Sequence, residues 1–215
     1  MTKPNIHEMV VAHRVFRRES RLLAELIAQV RPGDTARAAV LAAHLADYRL
    51  GLHNHHTGED ENLWPLLLTR VDLEADLVLR MEEQHERVAA TLAKVETALP
   101  RWASAAGEAE RDELVAALWD HRAVLLEHLD DEEKELLPVA ERHVSAQEWN
   151  RMAEHFQATT PKPKQLIFLG AVLEEATPAE RSEILGVLPR PVRWLWHLAG
   201  SARYTRHVRK IRRTA

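Results

Sequence analysis

The sequence predicts an all-α protein: an up-down four-helix bundle followed by additional short C-terminal helices. Apolar residues recur at three- and four-residue spacing nearly throughout the 215 residues, and no stretch alternates as a half-buried strand would. Alanine, leucine, arginine and glutamate dominate and there are only seven glycines, a composition that loses little rotamer freedom in helices. Proline and glycine then divide the first two thirds of the chain into four long helical segments with short links, which is the organisation of a bundle.

Each element has a local reason. Asn5 and Glu8 are placed to form a capping box opening a first helix that runs to Arg31-Pro32-Gly33. Asp34 or Thr35 caps a second, bent or broken at Pro65 and ending near Arg70. Asp72 caps a third through to about Leu99, where Pro100 and Gly107 mark a connection. The fourth runs from about Glu108 to His143 with Pro138 inside it. Residues 1–144 thus form the bundle. Residues 145–215 read as short helices packed on it: Ser145 and Glu148 form a capping box, Pro161-Lys162-Pro163 is a linker, and Thr177-Pro178-Ala179-Glu180 opens a further helix.

Composition narrows the chemistry. The chain has no cysteine, which excludes disulfides, thiolate metal sites and thiol redox chemistry. Its longest uncharged apolar stretch, Leu166 to Leu173, is too short to cross a bilayer, and Met1 to Val10 holds no signal-length apolar run. The cytoplasm is the expected location. Net charge is −4 but uneven: residues 184–215 hold eight Lys or Arg and no acid, leaving 21 bases against 33 acids, a net −12, in the rest.

An internal repeat carries the functional signal. His55 to Pro65 and His128 to Pro138 both read His-x3-Glu-acid-x2-Leu-x-Pro. Each copy has a histidine upstream at nearly one distance, His13 before His55 and His85 before His128. A His and a Glu four residues apart project from one helix face. Leu52, Leu63, Leu125 and Leu136 turn those faces inward, and His13 and His85 lie on inward stripes with Val10, Phe16, Met81, Val88 and Leu92. Four imidazoles and two carboxylates therefore converge, at a desolvation cost that two metal ions would remove. Each glutamate can bridge both ions while the histidines bind terminally. The predicted metal ligands are His13, His55, Glu59, His85, His128 and Glu132. The donor set suits iron or manganese and accepts zinc. Six protein ligands on two ions leave coordination positions open.

The other histidines are read differently. His7, His143, His155 and His207 are assigned no role, and His53 and His56 flank a ligand but point off its face. His44, Tyr48 and His121 are either outer partners of the ligands or ordinary half-buried polar residues.

At these residues the chain resembles the hemerythrin-like, or HHE cation-binding, family over about residues 5–143. The resemblance implies two iron ions, Fe2+ or Fe3+, bridged by both glutamates and an oxo or hydroxo group. Two departures from the oxygen-carrying members stand out. Met81 replaces a histidine one turn before the third-helix ligand, and Glu132 lies four rather than five residues after His128. The pattern looks more like family members linked to iron–sulfur repair, nitric oxide or peroxide response, and iron sensing. A ferritin-like di-iron bundle needs two Glu-x-x-His pairs, and only Glu82-x-x-His85 has that spacing.

The expected function is a non-haem di-iron protein that binds or reacts with dioxygen, hydrogen peroxide or nitric oxide. If it is an enzyme, peroxide disproportionation is the simplest assignment. The alternatives are a sensor or adaptor without turnover and an iron donor or store. No nucleic-acid partner is expected. In the basic tail, Trp194, Trp196 and Leu198 with the arginines read in two ways, as an interfacial helix for anionic lipid or an acidic partner, or as a segment docked on the bundle whose arginines offset its charge. Docking is favoured, because Pro189, Pro191 and Gly200 break the segment.

Overall fold

The computed structural model describes residues 2–71 and 74–213, and among them helices are the only regular elements. The first is α1 (His7–Ala28) and the second α2 (Thr35–Asn62), continued by a short α3 (Trp64–Leu68). Next come α4 (Ala75–Ala105) and α5 (Glu108–Asp131), which passes through a π-turn (Glu132–Leu136) into α6 (Leu137–His143). Around the bundle α1 packs on α2, α2 on α4, α4 on α5 and α5 back on α1.

The ends follow the sequence in part. The Asp34 side chain caps α2 by accepting from the Arg37 N–H at 2.9 Å. Asn5 and Glu8 do not form the expected box: the cap position is Ile6, and Asn5 Nδ2 donates to the Glu8 side chain instead. Asp72 lies outside the described residues. The third helix does not end at Leu99. It runs through Pro100 to Ala105, because Pro100 sits on the exposed face while Ala98 and Trp102 are buried, so the lost backbone bond faces water. Ala106 closes it in the left-handed region at φ 48°, and its carbonyl accepts the Gly33 N–H from the turn after α1.

The prolines of the two repeats are accommodated differently. Before Pro65 the helix breaks at Leu63, whereas before Pro138 the chain widens into the π-turn. That extra residue in the turn lets neighbours Leu136 and Leu137 both point inward, at 0% and 1% exposure.

Two apolar clusters fill the bundle. One holds Phe16, Leu23, Leu45, Leu52, Val88, Trp102, Leu118 and Leu125; the other Met9, Leu63, Trp64, Met81, Leu136 and Val139. Along each long helix the predicted ligands fall between a residue of one cluster and a residue of the other. They form a polar layer in an apolar stack.

The chain continues as α7 (Ala146–Thr159), α8 (Lys162–Glu175), α9 (Pro178–Val187), α10 (Arg190–Leu195), a second π-turn (Trp196–Gly200) and α11 (Ser201–Arg212). Capping boxes at Ser145–Glu148 and Thr177–Glu180 open α7 and α9 as expected. Pro161 to Pro163 is not a linker: Pro161 caps α8 and Pro163 lies in its first turn. Helix α7 packs on α2, α8 on α1, and α11 on both α2 and α8. The close α8–α11 contact needs Gly170, since a Cβ there would meet the Tyr204 ring at 2.3 Å. The tail divides between its two readings: Trp196 is buried at 8% exposure, while Trp194 and Leu198 stand out at 70%. No described helix is long and apolar enough to cross a membrane.

Candidate metal centre

All six predicted residues meet in the polar layer. His13, His85, His128, Glu59 and Glu132 are buried and His55 is nearly so. His13, His55, Glu59 and Glu132 form one group whose ligand atoms lie within 4.8 Å of one another. His85 and His128 form a second such group with His56. The carboxylates lie between the two. Glu59 is 3.4 Å from His55 Nε2 through one oxygen and 3.4 Å from His85 Nε2 through the other. Glu132 Oε2 is 3.3 Å from His13 Nε2 and 3.6 Å from His128 Nε2.

His56 corrects the sequence reading, which placed it off the ligand face. It is buried, with its ring stacked on His85 at 4.1 Å and edge-on to His128 at 5.1 Å. At 3.6 residues per turn, Glu59 lies about 40° from His55 on one side and about 60° from His56 on the other. The glutamate is straddled by both imidazoles, and the i, i+3 spacing of His56 and Glu59 is the signal that reveals it. His53 is exposed.

The fit to metal rests on unpartnered atoms. Both oxygens of Glu59, both of Glu132, and the Nε2 atoms of His56, His85 and His128 are buried without a hydrogen-bond partner. The His13 and His55 Nε2 atoms face each other at 3.1 Å, across a gap that only a proton or a cation can bridge. Native interiors do not leave so many polar atoms unsatisfied in one place. All are nitrogen or carboxylate oxygen, the donors of iron, manganese and zinc sites.

Outer partners aim the imidazoles. His13 Nδ1 contacts Glu133 Oε1 at 2.9 Å, and Arg17 binds the same oxygen at 3.0 Å. His85 Nδ1 contacts Asp60 Oδ1 at 2.7 Å, which also accepts from Trp64 Nε1 at 2.9 Å. Gln84 Oε1 lies 3.3 Å from His128 Nδ1, and its amide nitrogen donates to Asp131 at 2.7 Å. With Nδ1 engaged, each Nε2 faces the centre. The sequence reading gave Asp60 and Glu133 no role; they are the acids that follow each ligand glutamate in the repeat, and that shared position is the signal that could have found them.

Electrostatics favour neutral groups until cations arrive. Burial, reinforced by the neighbouring imidazoles, holds His55 and His56 well below the ordinary histidine range. Burial likewise pushes His128 down to about 2. Burial raises Glu59 well above the usual carboxylate value, with the Glu132 charge adding to it. Glu132 is also raised by burial. Two bound cations would reverse this preference for both carboxylates, and unprotonated imidazoles are already ligand-ready.

The remaining polar residues form separate networks. Tyr48 Oη and His121 Nε2 are 2.8 Å apart, with Thr91 on His121 Nδ1 at 3.1 Å. His44 pairs with Glu19 at 2.8 Å and lies beside His207. His7 contacts Glu180, and His155 contacts Thr57 and Glu61. None of His7, His44, His121, His143, His155 or His207 joins either ligand group.

Comparison with curated proteins and with solved structures gives no match. The family model described as the hemerythrin HHE cation-binding domain matches residues 5–140, the stretch that contains all seven residues of the two ligand groups. Domains of this type bind metal cations, and this chain belongs to the hemerythrin HHE family.

Proposed function

We propose that the chain is a non-haem di-iron protein that binds or reacts with a small oxidant: dioxygen, hydrogen peroxide or nitric oxide. His13 and His55 would hold one ion and His56, His85 and His128 the other, with Glu59 and Glu132 placed between the two groups. The observation that carries this reading is the cluster of buried, unpartnered Nε2 and carboxylate atoms in two adjoining groups. Iron there supplies a redox couple and exchangeable coordination positions.

The protein's own residues set the rest. His56 provides from α2 the imidazole that oxygen carriers supply one turn before the third-helix ligand, where Met81 is fully buried in apolar packing. The group with His56 therefore has three imidazoles, and the group with His13 and His55 has two. This asymmetry puts the more open coordination position on the His13/His55 side. Phe16, whose ring centroid lies 5.0 Å from that of His55, and Leu52, Leu125 and Leu129 keep the surroundings apolar. Such a lining admits small neutral molecules and excludes bulk water.

Protein supplied with iron should carry about two ions per chain, one for each group, by elemental analysis. Its near-ultraviolet absorption should change on adding azide, peroxide or nitric oxide. Two bound irons whose spectrum ignores all three would sink this reading and leave an iron store or a structural sensor.

A further inference from the structure

A cavity of about 660 Å³ lies between the bundle and the C-terminal helices and borders the metal layer at His55. Its walls come from α1, α2, α7, α8 and α11, with the segment around α10 at one end. Phe16, Trp149, Phe156, Leu169 and Val208 make it predominantly apolar. Phe156 and Phe168 meet edge to face at 5.6 Å, and Gly51 lets the Phe168 ring approach α2, since a Cβ there would stand 3.1 Å from it. The volume is that of a small-molecule site rather than a packing defect. Residues from Lys162 to Val172 all along α8 face it, so it is elongated, about 15 Å at the helical rise.

Charge is unevenly distributed over the lining. Among the lining acids, Glu19 pairs with Arg18 and His44, Asp47 with Lys164, and Glu8 is hydrogen-bonded to Asn5. Of the lining Lys and Arg side chains, Arg212 pairs with Glu174. Lys162 has no carboxylate partner among the described residues. It sits at the first position of α8, where the positive helix end adds to its charge. Leu188, Val192 and Leu195 continue the apolar wall.

We propose that this cavity binds an unbranched amphiphile with a long apolar chain and one anionic head, of the class of long-chain carboxylates, with the head at Lys162. Binding does not depend on the metal reading. The occupied cavity does abut His55, so the ligand and the metal layer share a wall.

The test is titration of the full chain, metal-free and metal-loaded, with the fluorescent fatty acid cis-parinaric acid, followed by displacement with octanoate, laurate and palmitate. Saturable binding of one probe per chain is expected in both forms. Affinity should rise with chain length by up to about fourfold per methylene until the cavity is filled. Val15→Trp, which fills the α1 wall, should weaken the probe at least tenfold while the melting temperature and metal content stay those of the wild type. Lys162→Glu changes an exposed side chain that folding does not need. It should weaken palmitate severalfold and leave the uncharged hexadecanol unchanged. The proposal is overturned by absence of saturable binding, by affinity independent of chain length, or by a folded Val15→Trp that binds like wild type. Should Val15→Trp not fold, equal responses of palmitate and hexadecanol to Lys162→Glu would overturn it instead.

Discussion

The helix pair α1–α2 and the pair α4–α5 carry one ligand pattern 72 or 73 residues apart, and their partners cross over. Asp60, in the first copy, holds His85 of the second half; Glu133, in the second copy, holds His13 of the first. Tyr48 and His121 occupy equivalent positions and meet at 2.8 Å, and Arg70 donates to the carbonyl of His143, again its own equivalent. Such pairings are those of a two-fold arrangement written within one chain. The halves then differ at one inward position: His56 in the first corresponds to Leu129 in the second, and both are buried. A near-symmetric cage with one unmatched imidazole would hold two ions in unequal surroundings, and the proposed chemistry would then concentrate on the poorer-coordinated side.

The largest effect tests the symmetric part. Glu59→Ala and Glu132→Ala each remove a shared carboxylate and should each lower metal content well below one ion per chain. Loss of ligand-linked stability of about 4 kcal/mol at a thousandfold excess over Kd should appear as roughly 10 °C in Tm. Retention of both ions in one variant and loss in the other would break the equivalence of the copies.

His56→Leu makes the first half like the second. One ion should remain, and the other should bind at least tenfold more weakly, read by metal titration. Unchanged affinity for both would show that His56 is packed there as a ring and no more.

Bracing residues come next. Asp60→Asn and Glu133→Gln should each weaken metal about 10- to 100-fold, with folding intact. Glu133 also binds Arg17 and Asp60 also binds Trp64, so unequal losses would measure how far those neighbours hold each brace without its charge.

The smallest effect lies below the site, where the Glu19–His44 contact in the first half contrasts with the Thr91–His121 contact in the second. Burial would raise the Glu19 carboxyl, but His44 and Arg18 outweigh it and hold the group at about 2. A depressed acid stabilises the fold fully above its unfolded value and loses that contribution as pH falls through the folded one. Wild type should therefore exceed Glu19→Gln by about 1–3 kcal/mol above pH 4.5, and the gap should close towards pH 2. A gap constant across that range would refute the assignment.

The bundle and the six repeated residues were legible because both depend on periods the sequence displays directly. A face drawn as a stripe one residue wide, however, discards His56, although Glu59 lies between the two neighbouring imidazoles. Local proline rules could not foresee that Pro100 would face solvent inside α4, nor that Pro138 would be absorbed by a π-turn rather than a break. The fate of Trp194 and Trp196 depends on which helices α10 and the second π-turn meet, and no nearby residue encodes it. For the same reason the cavity was invisible: its walls come from segments that approach one another only after the chain has folded.

That division of walls has a kinetic consequence. One side of the cavity belongs to a tightly packed bundle and the other to short helices, so an occupant would tie the two together. An occupant that touches both sides acts as a clasp, slowing amide exchange in α8 and α11 while leaving α4 and α5 unaffected.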